Sequence, residues 1–323
     1  MVVYAGQGDA RRSMSLLWRA ERPEQPRRTP GPGPRPGLSV DAVVTAAISV
    51  ADEEGMAALS MRAVGERLGR TAMALYTYVP SKGELLDLMY DAVHAELPRD
   101  YAAFTEAHAP EGGRHPSAEG ERPGDDDWRA GLTTWARDTL EFLLRHPWVL
   151  QVSQARPVLG PHEYAALDTL VRLLTGTGLE ARLVRRLVGT LTHFVRGCAG
   201  TVAEAREAAV ATGEPDEEWW FARSALLGEV APDFADRYPS LSAMERAGAP
   251  RPPSATDEDT GEGEGEGEGD GGGEYGEEAG GGSAEGDEET MPFLEREARE
   301  TFAVGLDVLL DGIEAAITRT GRA

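Results

Sequence analysis

The chain has 323 residues with a formal net charge of −24, 27% charged and 41% hydrophobic residues, enough for one or two domains with cores of their own. No apolar run reaches the roughly 18 to 20 residues that cross a bilayer, and residues 1–12 lack the apolar centre of a secretory signal, so no membrane partner and a cytoplasmic location are expected. The one cysteine, Cys198, excludes an internal disulfide and any multi-cysteine metal or iron–sulfur site.

Most of the acidity is local, because residues 257–289 hold 15 acids and no base and so account for 15 of the 24 net negative charges. Of the 32 basic residues only Lys82 is a lysine, so the choice of arginine at any one site says little.

Residues 1–38 carry seven arginines and a proline-dense stretch between Pro23 and Pro36. Proline fixes φ and removes a donor, which predicts an extended, disordered basic arm. From Ser39 the pattern becomes helical: Val40, Val44, Ile48 and Ala51 share a face, with Ser39 to cap and Gly55 to stop. A second helix fits 60–68, ended by Gly69, and a short third fits 71–78, ended at Pro80. Ser81 and Glu84 make a capping box for a fourth helix, whose stripe of Leu86, Met89, Val93 and Leu97 halts at Pro98. A first domain therefore occupies 39–97.

Residues 108–126 are rich in Gly, Pro and Glu and read as a loop. Helical spacing returns from Asp127 to Arg145 through Leu132, Trp135, Leu140 and Leu143, and continues over 164–174. A long element over 180–212 aligns Leu183, Leu187, Leu191, Phe194 and Cys198, and a further helix fits 217–227. Residues 249–289, Gly/Glu-rich with almost nothing apolar to bury, are expected to be disordered. A final helix over 291–319 carries Phe302, Leu306, Leu309, Ile313 and Ile317. No strand alternation is found, so the fold class is all-α: an N-terminal helix-turn-helix domain and a C-terminal helical domain over 127–319, interrupted by 249–289.

A helix, a tight glycine turn and a short helix are the parts by which a helix-turn-helix sets its second helix into a DNA major groove. The spacing alone also suits a small structural hairpin. In the short third helix Ala74 and Leu75 can pack inward, leaving Thr71, Ala72, Met73, Tyr76, Thr77 and Tyr78 outside. The domain over 39–97 holds nine acids against four bases, yet between Met56 and Gly83 the balance is +3.

The residues themselves add to this. LSMRAVGERLGRTAMALYTYVPSKGELLDLMYDAV, with its Leu68-Gly69 turn, its Leu75-Tyr76-x-Tyr78 block, Lys82 and Leu85-Leu86, resembles the DNA-binding domain of the TetR family of repressors. His146 with Arg156-Pro157, the stretch Thr192 to Cys198, and the spacing of Phe302, Gly305, Leu306, Leu309, Leu310, Gly312 and Ile313 resemble the C-terminal domain of its tetracycline-repressor branch. The resemblance implies a ligand-responsive regulator, a repressor released from a palindromic double-stranded DNA operator by a small-molecule effector. It implies Arg62 at a base edge, Met61, Ala72, Met73 and Ala74 at base- or backbone-facing positions, and Tyr76, Tyr78 and Lys82 on phosphates. Thr71 and Thr77 complete the contact face. Arg27, Arg28 and Arg35 of the arm are expected to follow phosphates or enter a minor groove.

The resemblance further implies a homodimer formed by the long and the last helices, and an effector pocket lined by Trp135, His146, Arg156, Tyr164, His193 and Phe194. Tetracycline-binding members hold magnesium through a histidine shortly before the Arg-Pro pair and an acid after the Gly-Cys pair. Here those positions read Val152-Ser153-Gln154 and Ala199-Gly200-Thr201, so a different effector with no obligatory magnesium is expected. No nucleophile–base pair, converging carboxylates or phosphate-cradling glycine loop is found, and the offset of His193 and Cys198 on their helix turns them in different directions. No enzyme activity, cofactor or metal is therefore expected. The competing reading is a helical ligand- or partner-binding protein without specific operator binding.

Overall fold

A computed structural model describes residues 3–20, 38–101, 127–248 and 291–321. The expected loop over 108–126, the acidic segment over 249–289 and the arginines Arg27, Arg28 and Arg35 lie outside the described residues. Every regular element described is a helix, and the one bridge, Val3 with Val152, is isolated. The chain divides into a larger unit, Met1–Glu207 with Glu297–Ala323, and a smaller one, Ala208–Arg296.

The larger unit opens with α1 (Ala10–Leu17), where the sequence suggested an extended arm. Asp9 caps it by accepting from the Arg12 amide at 2.8 Å, and Ser13 and Leu17 are buried against the rest of the unit. The proline-dense stretch begins only after this helix, so the proline argument does not reach residues 10–17. Then come α2 (Val40–Glu54), α3 (Met61–Leu68), α4 (Ala72–Tyr76) and α5 (Lys82–Val93). Ser39, Ser60, Thr71 and Ser81 each cap their helix through the side-chain oxygen, satisfying amides that the first turn leaves without partners. Gly55 at φ 79° and Gly69 at φ 63° end α2 and α3 in a backbone region that favours glycine. Val43, Ala47, Leu59, Val64, Leu75, Val79, Leu85 and Met89 form the core of this module.

The C-terminal part of the same unit contains α6 (Asp127–Arg145), a 3₁₀ turn (Pro147–Gln151), α7 (Pro161–Thr175) and the greater part of α8 (Ala181–Thr212) and of α12 (Phe293–Gly321). The Phe194 and Phe302 rings of α8 and α12 stack with centroids 5.7 Å apart, while Leu191, Val195, Leu306 and Leu310 close the core around them. Arg129 of α6 reaches Asp311 at 2.7 Å and Arg299 reaches Glu141 at 2.7 Å, fastening α12 to α6.

The smaller unit carries α9 (Asp216–Val230), α10 (Phe234–Arg237) and α11 (Pro239–Gly248), of which only the first was legible as a helix. Its apolar side chains, Phe221, Val230 and Met244 among them, are exposed. The Arg223 guanidinium lies over the Trp219 ring at 4.9 Å.

Candidate DNA-reading face and effector cleft

The turn between α3 and α4 is tight because Gly65 has no side chain: a Cβ there would sit 2.7 Å from the Arg70 carbonyl oxygen. Sequence reasoning marked the glycine after α3 and missed this one within it. Leu75 is fully buried and pins α4 to the module, while Met73, 76% exposed, and Tyr76, 42% exposed, face outward with Thr71 and Thr77. Ala72, Ala74 and Tyr78 are half-buried, and Ala72 and Tyr78 pack on the core, because a helix of five residues cannot turn more than one face away from its support. Met61, expected at a base- or backbone-facing position, is buried beneath α3.

The Arg62 side chain is 85% exposed and donates from Nε to Glu66 at 2.8 Å, one helical turn on. Hydrogen bonding to Glu66 raises its pKa from the ordinary guanidinium value. Lys82 is exposed at the first position of α5. A cation is unfavourable beside a helix N-terminus unless a nearby anion compensates, which is the situation a DNA phosphate would create.

Behind this module, α5 also forms part of a second feature. Tyr90 of α5 lines a cleft of about 240 Å³ together with Val152, Ser153, Gln154, Arg156, Pro157, Val158, Glu163, Gly189, Thr192 and His193. Burial, helped by Glu163 and opposed by Arg196, pushes the Tyr90 phenol up to about 12, so it remains a neutral donor. The next residue, Asp91, accepts the amides of His162 and Glu163 at 2.9 and 3.0 Å and so caps α7 from a neighbouring helix. Burial raises the Asp91 and Glu163 carboxyls from their ordinary range, with backbone amides opposing. Arg196 of α8 donates to the carbonyls of Val149, Leu150 and Val152 at 3.1, 2.5 and 2.8 Å and holds the cleft wall by its backbone. Burial lowers the pKa of this guanidinium.

Of the expected pocket residues, Arg156 and His193 meet in this cleft. Phe194 instead borders an open groove of about 340 Å³ with His193, Gly197, Cys198, Thr201, Ala298 and Thr301. His193 and Cys198 thus share a groove, contrary to the divergence expected of them, and burial raises the Cys198 thiol away from its reactive form. Trp135 is buried and lines neither cavity. Tyr164 sits half-exposed on α7 with its ring 6.3 Å from Trp18.

His146, 4% exposed, also lies outside both cavities. Its Nδ1 is 2.8 Å from Asp52 at the end of α2, and its Nε2 is 3.2 Å from Glu96. Trp148 donates its indole N–H to the same Asp52 oxygen at 2.8 Å. These contacts make His146 a joint between the two halves of the larger unit. Burial works against the charged Glu96, but hydrogen bonds from His146 and Arg145 outweigh it and hold the carboxyl below its usual range.

Among the described residues no group of three or more metal-ligating side chains converges and no helix is long and apolar enough to cross a membrane. Tyr90, Glu163, Thr192 and Arg196 went unassigned in the sequence, because their roles depend on partners that the chain order keeps apart.

Comparison with known proteins finds family models and relatives that match this chain. Residues 43–89 match the family described as bacterial regulatory proteins of the tetR family, and residues 120–259 match the tetracyclin repressor-like C-terminal domain. The chain is 38% identical over 243 residues to the HTH-type transcriptional repressor DrrR1 of Streptomyces coeruleorubidus, covering 74% of this chain and 78% of the relative. It is 29% identical over 161 residues to the tetracycline repressor protein class A from transposon 1721 of Escherichia coli, covering 50% and 65% of the two chains. The crystal structure of the Streptomyces coelicolor protein ActR in complex with actinorhodin shares the fold, with a TM-score of 0.56, 19% identity and coverage of 87% and 97%.

Proposed function

The chain belongs to the TetR family of transcriptional regulators and is a ligand-responsive DNA-binding repressor; we propose that it grips a palindromic operator as a homodimer and lets go when a small molecule fills the cleft behind α5. The observation that carries this reading is the double duty of α5. Lys82 stands at its DNA-proximal end, its apolar face supports α4 through the shared core, and Tyr90 and Asp91 build the cleft at its other end. A ligand that moves Tyr90 or the α7 cap tilts the helix on which α4 rests, and it shifts the DNA-binding equilibrium by its preference for that arrangement.

Met73, Tyr76, Thr71 and Thr77 form the outward face of α4, and its shortage of polar groups favours apolar contact and shape over hydrogen-bonded readout. Arg62 exchanges its Glu66 partner for a guanine edge, and Lys82 with Tyr76 contacts phosphate. Ala72, Ala74 and Tyr78 act mainly by setting how closely the backbone approaches. Arg27, Arg28 and Arg35 add phosphate contacts that bear no sequence information.

The cleft combines the cationic Arg156 and the imidazole of His193 with Tyr90, Pro157 and two valines, which suits an aromatic molecule bearing an acidic group. Ser153 and Gln154 stand where a metal-binding imidazole is found in the tetracycline-binding branch, so the effector needs no magnesium. The dimer forms along α8 and α12, where Val304 and Val308 are exposed and Gly200 and Gly312 leave open space for a second copy. Such a protein works in the cytoplasm, where its DNA lies, and performs no catalysis. Sedimentation at micromolar concentration tests the assembly: a dimer is expected, and a persistent monomer contradicts it. A panel of aromatic acids, screened for release of the bound operator with and without EDTA, tests the effector class. Release only by a magnesium–tetracycline complex would overturn it.

A further inference from the structure

The N-terminal residues that the sequence left as part of a featureless arm run between the cleft and the DNA-reading module. The Val3 amide donates to the Gln151 carbonyl and its carbonyl accepts from the Ser153 amide, both at 2.8 Å, so the segment pairs with the cleft wall as a parallel bridge. The next side chain, Tyr4, lies under the Arg156 guanidinium, 5.9 Å from ring centroid to Cζ. Among the described residues no carboxylate pairs with Arg156, which leaves its charge to the cleft.

Two residues later the chain reaches α5, where the Gly6 amide donates to Asp87 at 2.9 Å. Gly6 holds φ at 66°, a conformation that admits glycine readily and other residues only with strain. After α1 the segment returns to the cleft wall, the Trp18 indole donating at 3.0 Å to the carbonyl of Leu159. Leu159 is the one non-glycine among the described residues with positive φ, 63°, and it is held there from both sides, by Trp18 on its carbonyl and by Glu163 accepting its amide at 2.6 Å. Arg19 then pairs with Asp41 of α2.

We propose that residues 3–19 are a working part of the effector switch: Tyr4 completes the effector site by orienting Arg156, and the segment ties the cleft wall to α5 and α2, so that a ligand engaging Arg156 pulls on the DNA-reading module through it. This rests on the cleft being the effector site. The role follows from connectivity: the segment has three attachments on the wall, at Val152, Arg156 and Leu159, and two on the DNA-reading module, at Asp87 and Asp41. Attachments at both ends give the segment a physical route between the two parts, and the exchange measurement below reads whether displacement travels along it.

The test uses the full chain, 8-anilinonaphthalene-1-sulfonate as an anionic aromatic probe, and backbone hydrogen exchange. Only probe binding that Arg156→Ala abolishes is counted, which excludes dye on exposed aromatic surfaces. Tyr4→Ala is expected to weaken that binding roughly 3- to 10-fold and Tyr4→Phe, which keeps the ring, to restore it. Deleting residues 1–19 is expected to speed exchange over 151–159 about tenfold or more while leaving α8 and α12 protected. Saturating probe is expected to alter exchange across 82–93 in the parent, and Gly6→Ala, which leaves Tyr4 in place, to lose most of that response. If Arg156→Ala changes binding but Tyr4→Ala, Gly6→Ala and the deletion do not, this proposal is overturned and the cleft assignment stands. If Arg156→Ala and His193→Ala both leave probe binding unchanged, the cleft assignment fails and takes the proposal with it.

Discussion

The DNA-reading face and the cleft are built on opposite plans. At α4 and Arg62 the working side chains are exposed and are held in place from beneath, by Leu75 in the core and by a glycine that lets two backbones approach. At the cleft Asp91 is buried, Arg196 and Glu163 are half-buried, and all three work largely on backbone: Arg196 on three carbonyls, Asp91 on two amides, Glu163 on one. Substitutions in the first region should therefore change affinity for DNA with little effect on stability, and substitutions in the second should do the reverse before any ligand is considered. Buried polar groups left without partners are costly, whereas exposed ion pairs contribute little.

The widest separation is expected for Arg196→Met, which keeps the stem and leaves the carbonyls of Val149, Leu150 and Val152 without their shared donor. A loss of about 3 kcal/mol in urea unfolding is expected, with operator affinity extrapolated to the fully folded protein unchanged. A loss below about 0.5 kcal/mol would show that water replaces the guanidinium and would dissolve the contrast.

His94, next in size, sharpens the comparison through pH. Its half-buried ring packs between Tyr90 and Phe142, and loss of solvation there lowers its pKa from the ordinary 6.5 to about 4. Between those values the unfolded chain takes up a proton that the folded chain refuses. The contribution is therefore fully present above pH 6.5 and is lost as pH falls towards 4, with a total on the order of 3 kcal/mol. The raised carboxyls of Asp87, Asp91 and Glu163 slope the other way, so the measurement is the difference between the parent and His94→Asn across that range. Parallel stability curves for the two proteins would contradict the assignment.

Arg62→Ala reverses the pattern. Loss of its exposed pair with Glu66 should leave the urea midpoint essentially unchanged, while operator binding weakens roughly 10- to 100-fold and specificity relaxes at one base pair. Uniform weakening across all sequences would place Arg62 on the phosphates instead. Lys82→Ala is the smallest change: a few-fold loss of affinity and a decrease of about one in the slope of log affinity against log salt, with sequence preference unaltered. An unchanged salt slope would remove Lys82 from the interface.

What was legible in the sequence follows from how local each signal is. The caps at Ser39, Ser60, Thr71 and Ser81 and the stops at Gly55 and Gly69 act within a turn of their own position, and they delimit the DNA-reading module nearly residue by residue. Apart from α10 and α11, the C-terminal helices were legible from their stripes to within a few residues, as with 180–212 against Ala181–Thr212. The roles of His146, Trp18 and Gly6 were not, since their partners Asp52, Leu159 and Asp87 lie 94, 141 and 81 positions away. The helix Ala10–Leu17 carries an N-cap and an apolar end, but its burial depends on α5, and the prolines beyond it dominated the composition. Of the residues that the resemblance placed in one pocket, Phe194 borders a different groove from Arg156 and Tyr164 lines neither cavity, because a family motif fixes a position on a helix, while packing decides which cavity that position meets.

The most direct measurement is selection of bound sites from randomised duplexes by the purified full chain, at low and at physiological ionic strength and without effector. A recovered palindrome whose half-sites are spaced for two copies of α4, bound far more tightly than random duplex at both salt concentrations, is the result expected. Recovery of unselected sequence, with binding that disappears at physiological salt, would contradict the assignment of this chain as an operator-binding repressor.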